Sequence, residues 1–346
     1  MSLVLQADNM PDAVLATLDK LNKDKWVGMM TDLQKHVGFY EMCKKRKESS
    51  NGLGLVPRYR MNHNGSGQHV GMFDSQDFAR GDNMVVGRVP WTHTEANMAI
   101  DRHEPSMNSG AEQVFDLIKS ENAGMMTSLI ETAEEAVWSA PESSSDNSTP
   151  WGVEYWVTKN SSLGYYGGNP SGFSTGRAGI SSVDYPRFKN FTGAYTSVGD
   201  TEDTGLVFMM EQAADKTQWT APAPEPGMGR NGHPRGIYCN WATKNKLKNV
   251  AKANNDSLGY DLSTQMPVFR GAGIMYVPYF DQKSDNPLYM LDHNQIYATF
   301  LNNWYMKRTL VKQLPHQAHV FGIIVSMSWN IACYDVRANS VFYDAS

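Results

Sequence analysis

Two stretches carry the strongest hydrophobic pattern in the chain. Near the C-terminus Ile323, Val325, Met327, Trp329, Ile331 and Cys333 alternate with Ser326, Ser328, Asn330 and Ala332, a period of two that puts one set of side chains on each face of a strand. A strand from His319 to Tyr334 would extend roughly 53 Å at ~3.3 Å per residue, against a usual length of about 3–10 residues. The second stretch is Gly110–Trp138. There Val114, Leu117, Ile118, Met125, Met126, Leu129, Ile130, Ala133 and Val137 recur at helical spacing and form one broad apolar face. Ser109-Gly-Ala-Glu112 supplies a capping box for the free N–H groups at its start, and at ~1.5 Å per residue the helix would run roughly 43 Å. A helix and a strand of such matched length predict one elongated slab, with the helix laid on a sheet. That excess length points to a shell-building protein and away from an enzyme.

The rest of the chain is patterned less strongly. Pro11–Lys20 and Asp24–Arg46 have helical spacing, and the basic run Lys44-Lys-Arg-Lys47 complements a helix dipole. Residues 53–104 read as an extended hairpin with arms Leu55–Asn62 and Asn83–Val89 around a glycine-rich polar tip. A hairpin with so little core is marginal in water and must lie on something else. Lysine is absent from Glu48 to Ile118, whereas Arg58, Arg60, Arg80, Arg88 and Arg102 are present, and arginine is the cation favoured at interfaces. Between Trp138 and Asp200, Gly, Pro and Asn exclude a long helix, yet Trp151, Tyr155 and Trp156 need cover. From Thr201 a helix over Glu202–Lys216, a proline- and glycine-rich connector, a strand over Ile237–Trp241, a basic helix over Thr243–Asn254 and a strand over Gly273–Val277 predict a small α/β unit.

Charge sharpens the picture of the long helix. Glu112, Asp116, Glu121, Glu131, Glu134 and Glu135 stand on its polar face against Lys119 alone. Acids in a last turn oppose the helix dipole, so a basic surface is expected beside Glu134 and Glu135. Over all 346 residues the net charge is −5 and 41% of residues are apolar, which argues for a folded domain and against a dedicated nucleic-acid binder. No apolar run reaches the ~18 residues of a membrane span, and the first residues lack the basic and apolar regions of a secretory signal. Cys43, Cys239 and Cys333 are odd in number and widely spaced, as expected of reduced buried thiols.

Residue spacing in the chain assembles no catalytic set. His316 and His319 have a metal-ligand spacing that Pro315 and the following strand pattern spoil. His93, Glu95, Asp101, His103 and Glu104 form the densest polar cluster without satisfying a ligand-spacing rule. Gly65 and Gly67 lack the lysine of a phosphate loop, and no Gly-x-Ser-x-Gly elbow occurs. Trp151, Tyr155 and Trp156 suit either stacking on a sugar or packing against a neighbouring subunit. A carbohydrate-active enzyme needs converging carboxylates, and the adjacent Glu134 and Glu135 do not converge on one point. No catalytic residue, cofactor or metal site is expected.

The order of these pieces resembles the major capsid proteins of tailed double-stranded DNA bacteriophages, with the HK97-like fold. The resemblance is carried by the hairpin ending in Val89-Pro-Trp-Thr-His-Thr-Glu and by Leu129-Ile-Glu-Thr-Ala-Glu. It continues through Trp151-Gly-Val-Glu-Tyr-Trp-Val, Gly167-Gly-Asn-Pro, Ala178-Gly-Ile and Tyr185-Pro-Arg-Phe-Lys-Asn. Asn254-Asn-Asp-Ser-Leu-Gly, Phe269-Arg-Gly-Ala-Gly-Ile, Asn286-Pro-Leu-Tyr and the Gln317-Ala-His-Val strand complete it. It implies an α+β fold with an N-terminal arm (1–51), an E-loop (52–104), a P domain (105–199 with 313–346) built from a long spine helix on a long-stranded sheet, and an A domain (200–312). It further implies a non-enzymatic protein that self-assembles, as hexamers and pentamers, into an icosahedral virion capsid around the viral DNA. Assembly would occur in the host cytoplasm, with scaffold, portal and cement proteins as further partners, passive contact with packaged DNA and no membrane. Arg58, Arg60, Arg80, Arg88, Glu131, Glu134, Glu135, Trp151, Tyr155 and Trp156 are the residues expected at contacts between subunits. A host-encoded nanocompartment shell of the same fold is the alternative, distinguished by protein cargo in place of DNA.

Two departures stand out. Many relatives of this subgroup carry consecutive arginines after a cysteine near the C-terminus, where Cys333-Tyr-Asp-Val-Arg337 has one. Some shells of this fold are welded by a lysine–asparagine isopeptide bond, and the presumed hairpin has no lysine to supply the amine. The shell is therefore expected to hold together without covalent cross-links. Particles boiled in detergent and reductant should run as one band near 38.6 kDa; a ladder of multimers would reveal welding by a lysine outside the hairpin.

Overall fold

A computed structural model describes residues 37–345 apart from 45–46, 50–51, 53, 63–66, 68, 73–83, 102, 104–110, 200–203, 218, 220–234, 255–257, 262–265, 310–311 and 315–316. The helix expected over Pro11–Lys20, the first part of that over Asp24–Arg46, Arg80, Arg102 and most of the proline- and glycine-rich connector lie outside the described residues. The chain begins with helix α1 (Val37–Lys44), strands β1 (Lys47–Ser49), β2 (Arg58–Arg60), β3 (Met84–Val86) and β4 (Thr92–Asp101), and helix α2 (Ala111–Trp138). The short helix α3 (Val153–Trp156), β5 (Gly164–Gly167), β6 (Asn190–Tyr195), α4 (Leu206–Lys216), β7 (Arg235–Cys239) and α5 (Trp241–Asn254) follow. Strands β8 (Leu258–Asp261), β9 (Met266–Phe269), β10 (Ala272–Tyr276), β11 (Leu288–Asp292), β12 (Ile296–Leu301), β13 (Lys307–Arg308), β14 (Lys312–Leu314), β15 (Gln317–Cys333) and β16 (Ser340–Asp344) complete it.

The long strand and the long helix expected from the sequence are both present, as β15 and α2. Strand β15 runs for 17 residues. Along one edge it pairs antiparallel with β4 in unbroken register from Val320↔Asp101 to Trp329↔Thr92. Along the other edge β12, β13 and β14 take successive segments, so that the chain from 296 to 314 returns along nearly the whole of β15. Helix α2 packs on β4 and α1. It buries Met125, Met126, Leu129, Ile130, Ala133 and Val137 and exposes Glu121, Ser128, Glu131, Thr132 and Glu135. This is the helix-on-sheet slab.

One feature of β15 departs from the alternation. From Val325 to Cys333 both faces are buried, Ser326, Ser328, Asn330 and Ala332 included. The face expected to be open is covered by the hairpin root and the aromatic segment after α2: the Asn330 side-chain amide donates to the Pro90 carbonyl at 2.8 Å, and the Trp151 N–H donates to Asn330 Oδ1 at 2.8 Å.

The second sheet is mixed, in the order β5-β6-β16-β11-β7-β10-β9-β8. Helix α4 sets Leu206, Val207, Met209, Met210, Ala213 and Ala214 into the core against it, and α5 adds Leu247 and Ala251. The divisions expected at 199/200 and 312/313 run through these sheets: β6 and β16 belong to this larger sheet, while β12 belongs with β15. Trp138, in the last turn of α2, packs on Tyr238 of β7 (ring centroids 5.1 Å), Phe280 (4.8 Å) and Tyr289 of β11 (6.1 Å). It joins the slab to the larger sheet.

The segment after α2 doubles back tightly on the helix end. A Cβ on Gly152 would stand 2.2 Å from the Ser139 carbonyl oxygen and 2.4 Å from that of Ala136. Backbone oxygens cannot swing aside as a flexible side chain can, so Gly152→Ala must push the aromatic segment off the helix terminus. The expected cost is about 1–3 kcal/mol, read from chemical denaturation of the unassembled protein; an unchanged midpoint would show that the two segments separate freely.

Candidate assembly surfaces

The hairpin root has two unlike faces. Strands β2 and β3 pair antiparallel with Arg58↔Val86, Tyr59↔Val85 and Arg60↔Met84, and directly opposed residues share a face. Tyr59 turns inward and its hydroxyl donates to the Cys333 carbonyl at 2.7 Å. Burial pushes its pKa well above the ordinary phenol value. The other face presents Arg58 and Arg60 beside Met84 and Val86, which are 58% and 52% exposed. Val56, Val70 and Met72 are exposed on the same segment. Methionine and arginine are both enriched where proteins meet. Arg88 is also exposed, while its backbone N–H donates to the Ala178 carbonyl. Among the described residues Arg58, Arg60 and Arg88 form no ion pair. Arg80 lies outside the described residues.

The acids at the end of α2 divide. Glu131 and Glu135 are exposed, one turn apart on the same side. Glu134 is a correction to the sequence reading: it is buried, and its partners come from this chain. The N–H groups of Gly38 and Phe39 donate to its two oxygens at 3.0 and 2.6 Å, and Trp138 Nε1 donates to Oε1 at 2.7 Å. The positive pole expected beside it is thus the N-terminus of α1, whose free N–H groups and dipole favour an anion. A Cβ on Gly38 would lie 2.5 Å from the Trp138 ring, so only glycine allows the two helices this approach. The signal was in the periodicity: Glu134 stands four residues after Ile130 and three before Val137, on the apolar stripe.

The aromatic trio is a second correction. Trp151, Tyr155 and Trp156 lie inside the subunit's own core and not on an outer surface. Trp156 Nε1 donates to the Ile331 carbonyl at 3.0 Å, the Tyr155 hydroxyl oxygen accepts from the Ala178 N–H at 2.8 Å, and the Trp151 and Tyr155 rings are 4.5 Å apart. Their cover is β15. The sequence reading passed over Arg177, which is fully buried. It donates to the carbonyls of Phe188 and Gly167, to Thr158 Oγ1 and to Asn190 Oδ1. Loss of water lowers its pKa to about 10. Positive φ at Gly176, Ala178 and Gly179 makes the turn that points it inward; the run Gly-Arg-Ala-Gly was the only hint.

Little here resembles a reactive site. Cys239 and Cys333 are buried, and burial pushes the Cys239 thiol up to about 12. His93 Nδ1 meets Ser328 Oγ at 2.7 Å, and the rings of His103 and His319 lie 5.1 Å apart at the far end of the β4–β15 pair. Among the described residues no helix is long and apolar enough to cross a membrane.

No protein-family model and no curated protein matches the chain. Solved structures do match. The chain is similar to the capsid asymmetric unit of cyanophage A-1(L), with a TM-score of 0.60 and 13% identity over 89% of this chain and 92% of that one. It is similar to the capsid of a native GTA particle (TM-score 0.53, 10% identity, 88% and 90% covered) and to a structure from Mycobacterium phage Bobi (0.53, 8%, 88% and 90%). At such identities the likeness is one of fold, and it spans nearly the full length of each chain. The protein has the HK97-like capsid fold, in an α+β architecture.

The Glu134 contact fastens α1 to the slab, and removing its carboxylate leaves three donors without their acceptor. Glu134→Ala should cost about 2–4 kcal/mol and should speed hydrogen exchange at Gly38 and Phe39 first. Unchanged exchange at both amides would show that α1 is held by its apolar contacts alone.

Proposed function

We propose that this chain is a structural major capsid protein, many copies of which assemble into an icosahedral shell around a viral double-stranded DNA genome. The observation that carries this reading is the full-length likeness of fold to phage capsid structures. The outer face of the hairpin root supports it, because a monomer has no use for Met84 and Val86 exposed beside unpaired arginines. In this reading residues 1–51 are the N-terminal arm, the hairpin is the E-loop, the slab belongs to the P domain, and the larger sheet is shared between the P and A domains. The protein acts without catalysis, cofactor or metal, and its place is the virion. Its principal partner is itself, in hexamers and pentamers; scaffold, portal and cement proteins and packaged DNA are further partners.

Assembly is keyed by charge. Arg58, Arg60 and Arg88 of one copy face Glu131 and Glu135 of the next. Exposed pairs contribute only ~0–1 kcal/mol each, but every subunit repeats them. The test is electron microscopy of the protein expressed alone, followed by charge reversal. Closed shells are expected from the natural sequence. Arg88→Glu should stop assembly while leaving the unfolding free energy within about 0.5 kcal/mol, and a second change, Glu131→Lys, should restore shells. Normal particles from Arg88→Glu would remove the pairing. A stable monomer under every salt condition would remove the function, and natural particles holding protein cargo without DNA would point to a nanocompartment.

A further inference from the structure

A cleft of about 620 Å³ opens where the hairpin root meets the turn after β15. Tyr59 and Phe188, whose rings meet edge to face at 5.1 Å, and Tyr334 form the aromatic part of its wall. Arg60, Arg187 and Arg337 line it too, with Asp335 the one acid among the lining residues. That carboxylate already accepts the backbone N–H of Arg337 at 2.9 Å. The Arg337 guanidinium lies 3.9 Å from the centre of the Tyr165 ring and donates to the Arg187 carbonyl, which holds it in place. Arg60 and Arg187 are exposed and form no ion pair among the described residues. Behind Phe188 stands Arg177, whose four acceptors are all uncharged and whose Nε is buried without a hydrogen-bond partner. Among the described residues its charge has no carboxylate partner, and its field reaches Tyr59 in the cleft wall.

Resting on the shell reading, we propose that this cleft receives an acidic segment from a second copy of the chain, its carboxylates held by Arg60, Arg187 and Arg337. Three arginines among the lining residues of one cleft focus a positive potential there, and the planar guanidinium fork matches a carboxylate. The hollow has the size of an ordinary ligand pocket, and its aromatic walls suit a peptide. A nucleic-acid backbone needs an extended basic track to neutralise many phosphates, whereas these charges converge on one cavity. The chain itself supplies the ligand chemistry: its net charge is −5, and Glu131, Glu135, Glu142 and Asp184 are exposed.

Hydrogen exchange across 59–61, 187–188 and 334–337, compared between unassembled protein and shells, tests the assignment. Protection is expected on assembly, and not when unassembled protein is mixed with inorganic phosphate or a short DNA duplex. Arg187→Glu should abolish that protection and raise the concentration needed for assembly about tenfold or more, with the unfolding midpoint unchanged. Arg187→Ala, with the same readouts, serves as the second variant should Arg187→Glu not fold. Protection by phosphate or duplex alone would overturn the proposal in favour of a polyanion site. Wild-type shells with an unprotected cleft, or Arg187→Glu shells forming at the wild-type concentration, would overturn it and leave the shell reading intact. Failure of the natural protein to self-associate would overturn both.

Discussion

A strand buried on both faces has no water for any polar group along it, and that condition governs how the chain packs around β15. The covering segments answer it with side chains as well as apolar surface. Thr92 Oγ1 donates to the Trp329 carbonyl, Trp156 Nε1 to that of Ile331 and the Tyr59 hydroxyl to that of Cys333. Asn330, fully buried, takes the N–H of Trp151 on its oxygen and gives its amide to Pro90. The start of β4, the aromatic segment and the hairpin root are thereby fixed to one strand, each through bonds that a single register satisfies. A slip of one residue would carry the Asn330 side chain to the other face and turn each of these carbonyls to the other edge of the strand. The extended parts of the fold thus branch from a rigid centre.

Arg177 extends the same logic to the turn beside the hairpin. A buried guanidinium is tolerated when protein acceptors replace its water, and four neutral oxygens do so here. Its turn carries Ala178 at φ 52°, a conformation that costs a residue with a Cβ roughly 1–2 kcal/mol. The bonds made there offset that cost: the Ala178 N–H donates to the Tyr155 hydroxyl, and its carbonyl accepts from Arg88. One strained turn thus holds the aromatic core on one side and the returning arm of the hairpin on the other. The backbone at Arg88 is fixed while its side chain is exposed.

The sequence revealed elements in proportion to the length of their pattern. Gly110–Trp138 and His319–Tyr334 were legible because their apolar positions repeat over many turns or pairs, and the structure places them at Ala111–Trp138 and Gln317–Cys333. Strand β4 was hidden, since Thr92 and Thr94 take inward positions and His93, Glu95 and Asn97 lie between; hydroxyls at core positions break the contrast that a period needs. Strand β12 is buried at every position but its last, which leaves no alternation to see. The aromatic trio exposes a deeper limit. Density of Trp and Tyr signals that a surface must become dry, and it does not say whether this chain or another dries it.

Free surface can now be separated from surface already used. Glu134, Trp151, Tyr155 and Trp156 have spent their chemistry inside the subunit; Arg58, Arg60, Arg88, Glu131 and Glu135 are exposed and form no ion pair among the described residues. The first group sets the angle at which arm, helix and aromatic segment leave the slab, and the second stands on the surfaces so oriented. For a closed symmetric shell that division is mechanically sensible. In the proposed shell, contacts between copies must be weak enough to dissociate when misplaced, as exposed ion pairs beside small apolar patches would be. A weak contact selects one geometry only when the groups making it are held rigidly. The buried carboxylate under α1 and the buried guanidinium beside the hairpin supply that rigidity within the subunit, so in the proposed shell strength would reside less in the contacts than in how firmly each copy aims them.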